Sequence, residues 1–477
     1  MLFNSFIFLI FLGMVLPVFY LLPTKNWRNG FLLLASYVFY GYWDWRFCSL
    51  LLVSTLVDYF VGQQMAKTSE AGKRKGLLLI SMLVNLGILG FFKYFNFFAD
   101  SFANLLSSFG GNADFVHLNI ILPVGISFYT FQTMTYTIDI YRKRLEPTRS
   151  LPDFALYVAF FPQLVAGPIE RATNLLPQLS KKYGATRAQF EKGMVLVAMG
   201  MFKKVMIGDT AGRIVDRIFA QPELYHSPEL IMGLVLFAIQ IYADFSGYSS
   251  IARGVAKLLG IELMKNFEQP YLSANITEFW RRWHISLSSW LRDYLYISLE
   301  GNRKGEGRTY VNLMLTMLLG GLWHGASWNF VIWGGLHGIY LAVHKWMLGG
   351  KKVKERYTYQ GYKSLAGFLA GVLFTNLLVL FTWLFFRART FGEALQFLHG
   401  IFDWQPSEFT PRIVTIMLSF ILAMLAFDVP QYITKKHTYF LLIKNTGLRW
   451  GILAALFVTS LIYMFQAEPM PFVYFQF

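Results

Sequence analysis

The chain has 477 residues, of which 55% are hydrophobic, 18% are aromatic and only 15% are charged. Soluble proteins carry about 25% charged residues, so this composition excludes an ordinary soluble enzyme and predicts a polytopic membrane protein. The net charge of +16 does not indicate nucleic-acid binding, because no basic and aromatic module stands apart from the apolar segments. The one cysteine, Cys48, excludes an internal disulfide and a thiolate metal site.

Apolar stretches long enough to cross a membrane, which takes about 20 residues, occur along the whole chain. They lie near residues 5–22, 30–44, 47–63, 77–98, 119–140, 193–218, 230–251, 311–323, 330–344, 364–386, 412–428 and 451–466. The stretch 152–169 is broken by prolines and is predicted to be re-entrant or interfacial. No long polar linker interrupts the series. The sequence therefore predicts a single all-α domain, residues 1–477, with about 11–13 transmembrane helices.

The distribution of Lys and Arg among the loops predicts the orientation. Basic clusters lie near residues 25–28, 67–75, 142–149, 171–187, 345–356 and 435–449, whereas 99–118 and 219–229 contain no Lys or Arg. Basic loops are enriched on the cytoplasmic side of membranes. We therefore predict a multi-pass protein of the cytoplasmic (inner) membrane with both termini outside. Arg387 and Arg389, a pair beside a span end, depart from this pattern.

Charges also crowd one predicted span, 193–218, which contains Lys203, Lys204 and Asp209. This predicts packing against a polar cavity or a partly interfacial helix. The motif Asp244–Ser249 places further polar groups near the end of the next span. Helix termination is the favoured interpretation of that motif.

His324 is the strongest candidate for a chemical role. It lies in a run from Thr309 to His344 without Asp, Glu, Lys or Arg, where the Gly-Gly-Leu-Trp-His-Gly segment interrupts an apolar pattern. Titratable groups at membrane depth are costly and usually line a cavity or pathway. A neutral imidazole can take a proton from a hydroxyl near pH 7, and burial favours the neutral form. Position alone supports a structural histidine that bridges two helices equally well.

The segment 278–293 is too charged to span a membrane and too aromatic for an ordinary loop, so it is interpreted as an interfacial helix. Helical spacing would place two sets on separate faces: Trp280, His284 and Leu287, and Arg281, Ser288 and Arg292. His284 is then expected to point inward in a positioning or structural role. The arginines are expected to contact phosphates of lipid headgroups or of a nucleotide cofactor.

Other chemistries lack support in the sequence. There is no phosphate-binding GxxxxGK[ST] loop and no zinc-binding HExxH pair. Ser327 does not lie in a GxSxG nucleophile elbow. A P-loop ATPase, a zinc protease and a serine hydrolase are therefore not favoured, and no metal site is predicted.

A series of short motifs runs through most of the chain. It comprises Phe91–Phe98, Leu122–Gln132, Tyr136–Asp139, Phe160–Ile169, Asp244–Ser249, Phe279–Ser288, Gly301–Gly305, Leu322–Ala326 and Phe475–Phe477. In this order the motifs resemble those of the membrane-bound O-acyltransferase family. The resemblance is strongest to the branch that includes the membrane subunit of bacterial alginate O-acetyltransferase. One departure is Glu300, where relatives usually have a glycine.

The resemblance implies a multi-helix fold around a central transmembrane tunnel and an O-acyltransferase activity. His324 matches the invariant histidine of the family, and His284 matches its second conserved polar position. The family usually takes its acyl group from acyl-CoA on the cytoplasmic side. In the exopolysaccharide branch the acetyl group reaches the other face, where partner proteins pass it to sugar hydroxyls.

Under this hypothesis His324 deprotonates an acceptor hydroxyl that attacks the acetyl thioester, and His284 positions the donor or the acceptor. The predicted substrate-binding residues are Trp283, Trp323, Asn329, Arg281, Arg282 and Ser288. Asn329 or Trp283 is a candidate donor to the oxyanion. No bound cofactor is expected, since acetyl-CoA acts as a substrate. The expected partners are periplasmic or extracellular acetyltransferase proteins, a polysaccharide such as alginate, and the lipid bilayer, but no nucleic acid.

Several alternatives remain open from the sequence. The acceptor could be peptidoglycan, or the acyl group could be D-alanine for teichoic acid. A transporter of a small or lipid-linked substrate is the alternative from another class, although paired acidic residues at mid-membrane depth and inverted repeats are not evident. A passive scaffold for a secretion complex is a third, and it predicts that histidine substitutions leave glycan acetylation intact.

Overall fold

The computed structural model describes residues 1–111, 118–165, 167–349 and 364–475. Regular structure within these ranges is helical, without strands. The chain forms two compact units, Met1–Met194 with Ala252–Met264, and Val195–Ile251 with Lys265–Phe477. The single domain expected from the sequence stays a prediction. The basic cluster at residues 351–356, the Phe-Gln-Phe residues 476 and 477, and Ala166 lie outside the described residues.

The first unit contains the helices that precede residue 187. They are α1 (Phe6–Leu21), α2 (Lys25–Asp44), α3 (Cys48–Lys67), α4 (Ala71–Leu89), α5 (Phe95–Ser108), α6 (Ile126–Tyr141), α7 (Leu151–Ala159), α8 (Phe161–Leu164) and α9 (Ala172–Leu179). A π-helical turn, Gly90–Tyr94, connects α4 to α5. The break expected in the stretch 152–169 is confirmed, because Phe160 leaves the helical conformation between α7 and α8.

Buried polar side chains join α3, α4 and α6 within this unit. Asp58 is fully buried and accepts hydrogen bonds from Ser81 Oγ at 2.6 Å and Asn85 Nδ2 at 2.8 Å. Thr133 of α6 donates to Asn85 Oδ1 at 3.0 Å. Without a hydrophobic force between helices in lipid, such interhelical hydrogen bonds help to hold a membrane bundle together.

The remaining helices belong mainly to the second unit; α10 and α12 contribute residues to both. They are α10 (Arg187–Phe202), α11 (Thr210–Ala220), α12 (Ser227–Leu258), α13 (Ile276–Arg282), α14 (Ile285–Trp290), α15 (Gly305–His324), α16 (Trp328–Met347), α17 (Leu365–Arg387), α18 (Phe391–Phe402), α19 (Thr410–Thr434) and α20 (Thr446–Gln466). Lys203–Asp209 and Leu291–Tyr296 are π-helical turns.

The structure confirms an all-α polytopic protein. Every predicted span contains helix, although the predicted span 119–140 is helical only from Ile126. Helix α12 continues through Asp244–Ser249, so the helix termination expected there is wrong. Six helical stretches of the described chain are long and apolar enough to cross a membrane: Lys25–Lys67, Ala71–Ser108, Ser227–Leu258, Leu365–Arg387, Thr410–Thr434 and Thr446–Gln466. The chain is therefore a multi-pass membrane protein.

Glycines bring α15 and α16 into direct backbone contact. A Cβ atom on Gly334 would lie 2.3 Å from the Met317 carbonyl oxygen, and one on Gly321 would lie 2.2 Å from the Phe330 carbonyl oxygen. Only glycine allows this approach, which is the small-residue packing used by membrane helices. Ser327 Oγ then accepts a hydrogen bond from the Asn329 N–H and caps α16. The apolar run therefore forms a helical hairpin, and His324 is the last residue of its first helix.

Candidate functional site

His324 is buried among aromatic side chains of the second unit, with 3% of its surface exposed. Its ring centroid lies 5.0 Å from that of Trp333 and 5.1 Å from that of Trp323. Phe386 and Tyr474 approach it to 5.5 and 5.4 Å. The hairpin geometry thus places the imidazole at a helix end, among aromatic rings.

The segment around His284 is not the continuous helix expected from the sequence. Helix α13 ends at Arg282 and α14 begins at Ile285, and His284 adopts a left-handed conformation with φ of 42°. Asn266 anchors the break, because its carbonyl accepts from the Ile285 N–H at 2.8 Å and its Oδ1 accepts from Ser286 Oγ at 2.6 Å. The prediction that Trp280, His284 and Leu287 share one helical face is therefore wrong.

Because of this break, the His284 ring lies in the same site as the His324 ring. The two ring centroids are 6.3 Å apart, and Phe245 contacts His284 edge-on at 4.6 Å. His284 lies between two short helices and not within a spanning helix, and its burial lowers the pKa of the imidazole. His284 is therefore neutral near pH 7.

Tyr474 is the residue of this site that the sequence analysis missed. It lies in a short helical turn, Val473–Phe475, and its ring centroid is 5.4 Å from that of His324 and 6.5 Å from that of His284. The hydroxyl is buried and has no hydrogen-bond partner within the described part of the chain. The neighbouring Phe475 had been noted only as part of a motif. The only sequence signal that could have indicated Tyr474 is the aromatic character of residues 472–475, of which three are aromatic.

The predicted arginines have different environments. Arg282 is fully buried, with its guanidinium 2.5 Å from a Glu278 carboxylate oxygen and 5.1 Å from the Tyr432 ring centroid. Arg281 is exposed. Arg282 thus neutralises an internal carboxylate, while Arg281 remains available to external anions.

Trp323 is the predicted tryptophan that contacts both histidines. Its ring centroid lies 5.1 Å from that of His324 and 5.9 Å from that of His284. Trp283 is fully buried and stacks on Phe279 at 5.6 Å. Its indole N–H has no hydrogen-bond partner among the described residues.

Asn329 and Ser288 make local hydrogen bonds. The Asn329 side-chain amide donates to the Ala388 carbonyl at 2.8 Å, and Ser288 Oγ donates to the Trp283 carbonyl at 3.0 Å. The first bond joins α16 to the end of α17, and the second lies next to His284 in the chain. The substrate-binding roles of these residues stay predictions.

His337, in the middle of α16, provides a structural contrast. Its Nδ1 accepts from Trp280 Nε1 at 3.3 Å, and its Nε2 pairs with the Thr382 hydroxyl at 3.0 Å. Both ring nitrogens are therefore engaged in joining helices. Within the described residues, no group of three or more His, Cys, Asp or Glu side chains could hold a metal ion.

The described structure is that of a polytopic helical membrane protein with two histidines buried in one aromatic site. Residues 141–352 match the model of the membrane-bound O-acyltransferase family. The chain is 39% identical to a probable alginate O-acetylase of Pseudomonas putida, over 98% of this chain and 99% of the relative. It is 36% identical to a peptidoglycan O-acetyltransferase of Helicobacter pylori, over 78% and 73%. A teichoic acid D-alanyltransferase of Bacillus subtilis is 27% identical over 47% and 60%.

The chain therefore belongs to the membrane-bound O-acyltransferase family, and it is an O-acyltransferase. This membership favours the enzyme over the transporter and the scaffold considered above. An O-acyltransferase needs an acyl donor and a hydroxyl acceptor, which for relatives of this kind is a polysaccharide.

Proposed function

We propose that the protein transfers an acetyl group from cytoplasmic acetyl-CoA towards the hydroxyls of a cell-surface polysaccharide such as alginate. The observation that carries this proposal is the grouping of His324, His284 and Tyr474 in one buried, aromatic site. The name of the Pseudomonas putida relative, which matches nearly the whole chain, favours alginate as the acceptor. Periplasmic or extracellular partner proteins would complete the transfer to the polymer.

In the proposed reaction His324 acts as general base. Its neutral imidazole takes the proton of an acceptor hydroxyl, and the oxygen attacks the thioester carbonyl carbon. The tetrahedral intermediate collapses as the C–S bond breaks, and the thiolate of CoA receives the proton from the imidazolium. One ester replaces one thioester, so the step needs neither ATP nor a redox partner. His284 would hold the donor or the acceptor in place.

Tyr474 would act on the same intermediate. Its hydroxyl lacks a hydrogen-bond partner among the described residues, although a buried hydroxyl without one is costly. A substrate carbonyl beside His324 would accept that hydrogen bond, most strongly when negative charge develops on its oxygen. We assign Tyr474 this oxyanion role. The Asn329 amide, by contrast, already donates to the Ala388 carbonyl.

The proposed orientation places the protein in the inner membrane, with the basic loops in the cytoplasm and both termini outside. Acetyl-CoA would then enter from the side of the basic loops, where its phosphates are attracted. The acceptor would approach from the opposite side. A base within the membrane region is where the two reactants could meet across about 30 Å of hydrocarbon.

The test is acetyl transfer by the full-length protein in vesicles supplied with acetyl-labelled acetyl-CoA and its extracellular partners. His324→Ala should lower the labelling of alginate oligosaccharides by about 100-fold or more, the usual contribution of a general base. His337→Ala is the matched control, because it removes a buried structural histidine from the same hairpin. It should lower thermal stability and leave the rate per folded molecule within a few-fold of the wild type.

Different outcomes would contradict different parts of the proposal. Near-normal transfer by correctly inserted His324→Ala protein would exclude the base role. Labelling of muropeptides in preference to alginate would replace the proposed acceptor with peptidoglycan. Transfer from a D-alanyl thioester in preference to acetyl-CoA would replace the proposed donor.

A further inference from the structure

Three buried charged residues outside the histidine pair form one compact cluster in the second unit. Lys204 lies between two carboxylates, with Nζ 2.6 Å from Asp209 Oδ1 and 2.7 Å from Asp244 Oδ1. All three side chains are at most 5% exposed. The π-helical turn Lys203–Asp209 presents the lysine, and such turns often occur at functional sites.

This cluster also binds the segment that carries Tyr474. The second carboxylate oxygen of Asp244 accepts a hydrogen bond from the Val473 N–H at 2.7 Å. Lys204 Nζ donates to the Pro471 carbonyl at 3.4 Å. Phe472, between these two backbone contacts, is fully buried, and its ring centroid lies 5.2 Å from that of Phe245. Charges and apolar packing thus hold three consecutive residues immediately before Tyr474.

The residue that follows Asp244 in α12 also contacts His284. Phe245 follows Asp244 directly, and its ring contacts His284 at 4.6 Å and Tyr474 at 4.8 Å. Two adjacent residues therefore contact both the segment that carries Tyr474 and one of the histidines. A hydrogen bond to a buried carboxylate is stronger than one between neutral groups, and it fixes the Val473 backbone one residue away from the tyrosine.

We infer that Asp244, oriented by Lys204, is a positioning residue that holds the segment Pro471–Tyr474 in place so that the tyrosine ring stays beside His324. Its effect on catalysis rests on the proposed function, since it acts through Tyr474. Its effect on the segment itself does not.

A neighbouring ion pair shows that this contact is not shared by every buried charge in the region. Lys203 lies 3.4 Å from Asp428, and both are at most 5% exposed. Within the described residues, Lys203 contacts Asp428 and the rings of Tyr242 and Phe427, and it makes no hydrogen bond or ion pair with residues 470–475. Asp428→Ala therefore removes a buried carboxylate from a lysine, as Asp244→Ala does, without removing the acceptor of the Val473 N–H.

The first experiment measures hydrogen–deuterium exchange of the peptide covering residues 468–475 in the full-length protein. Asp244→Ala should speed exchange of the Val473 amide by about tenfold or more, because it loses a hydrogen bond to a charged acceptor. Asp244→Asn keeps an acceptor oxygen and should restore most of the protection. Asp428→Ala should leave this peptide within twofold of the wild type. Unchanged exchange in Asp244→Ala, or equal release in Asp428→Ala, would overturn the inference.

The second experiment measures acetyl transfer in a double-mutant cycle with Tyr474→Phe. Asp244→Ala alone should lower kcat by about tenfold or more with little change in the KM for acetyl-CoA. In the Tyr474→Phe background it should have almost no further effect, because its target is already absent. Fully additive losses would overturn the positioning role. Faster exchange together with no loss of transfer in either single variant would instead reject the proposed role of Tyr474.

Discussion

The backbone of His284 is held in a conformation that histidine rarely adopts. A left-handed residue other than glycine costs about 1–2 kcal/mol, and such strain persists only where the surroundings over-determine it. Here the Asn266 carbonyl and side chain hold the residues that follow, and Phe245 packs against the ring. The strain has a geometric result: it turns the imidazole towards His324, a direction that a continuous helix would not provide.

Tyr474→Phe tests the role of a single hydroxyl. We expect acetyl transfer to fall by about 100-fold, the lower end of the range for loss of one oxyanion-hole donor. Thermal stability should be unchanged or slightly higher, because this hydroxyl has no partner among the described residues and its removal leaves no buried group unpaired. Transfer rates and melting temperatures of the purified variant would measure both effects.

Tyr157→Phe is the control for this substitution, since the Tyr157 hydroxyl is buried but donates to the Gln132 carbonyl at 2.9 Å. It should lose stability and keep its rate per folded molecule. If Tyr474→Phe behaves in the same way, its hydroxyl has a structural role only.

Sequence reasoning found the two histidines but not the tyrosine, and the reason is physical. His324 is conspicuous because a titratable group interrupts a long apolar run. Tyr474 lies in an aromatic segment whose local pattern suggests ordinary packing. Its significance depends on the Val473 contact with Asp244, which joins residues far apart in the sequence. No short-range pattern reports such a contact.

At the scale of elements, the hairpin of α15 and α16 depends on glycine contacts. Gly334→Ala places a Cβ atom 2.3 Å from the Met317 carbonyl oxygen, so the helices must separate at a cost of about 1–3 kcal/mol. We expect a lower melting temperature and reduced transfer, because His324 moves with the end of α15. Gly335→Ala is the adjacent control: its Cβ would lie 3.5 Å from Leu318 Cδ2, an ordinary contact. Equal stability of the two variants would contradict this account.

Element prediction succeeded where periodicity and length decide the structure, and failed where tertiary contacts do. Every predicted span contains helix, and the stretch 152–169 is broken, as its prolines and short apolar length indicated. The helix expected over 278–293 is instead divided at Trp283 and His284. Histidine gives no local breaking signal of the kind that proline gives, and the bonds from Asn266 that stabilise the break come from outside the segment.

At the scale of the whole molecule, loop charge predicts which side of the membrane each segment faces. In a Cys48→Ser background, Glu223→Cys should react with a membrane-impermeant maleimide added outside intact cells, because it is exposed in a loop without Lys or Arg. Glu146→Cys, an equally exposed carboxylate position beside the basic cluster 142–149, should react only after permeabilisation. The reverse pattern would invert the proposed topology.

The position of Tyr474 also has a consequence for biogenesis. Both histidines leave the ribosome and enter the bilayer well before the residues that Asp244 and Lys204 hold. A nascent chain can therefore form the hairpin of α15 and α16 before the segment Pro471–Tyr474 has been synthesised. If Tyr474 acts as proposed, full acyl transfer would begin only after the segment Pro471–Tyr474 has been translated and has docked.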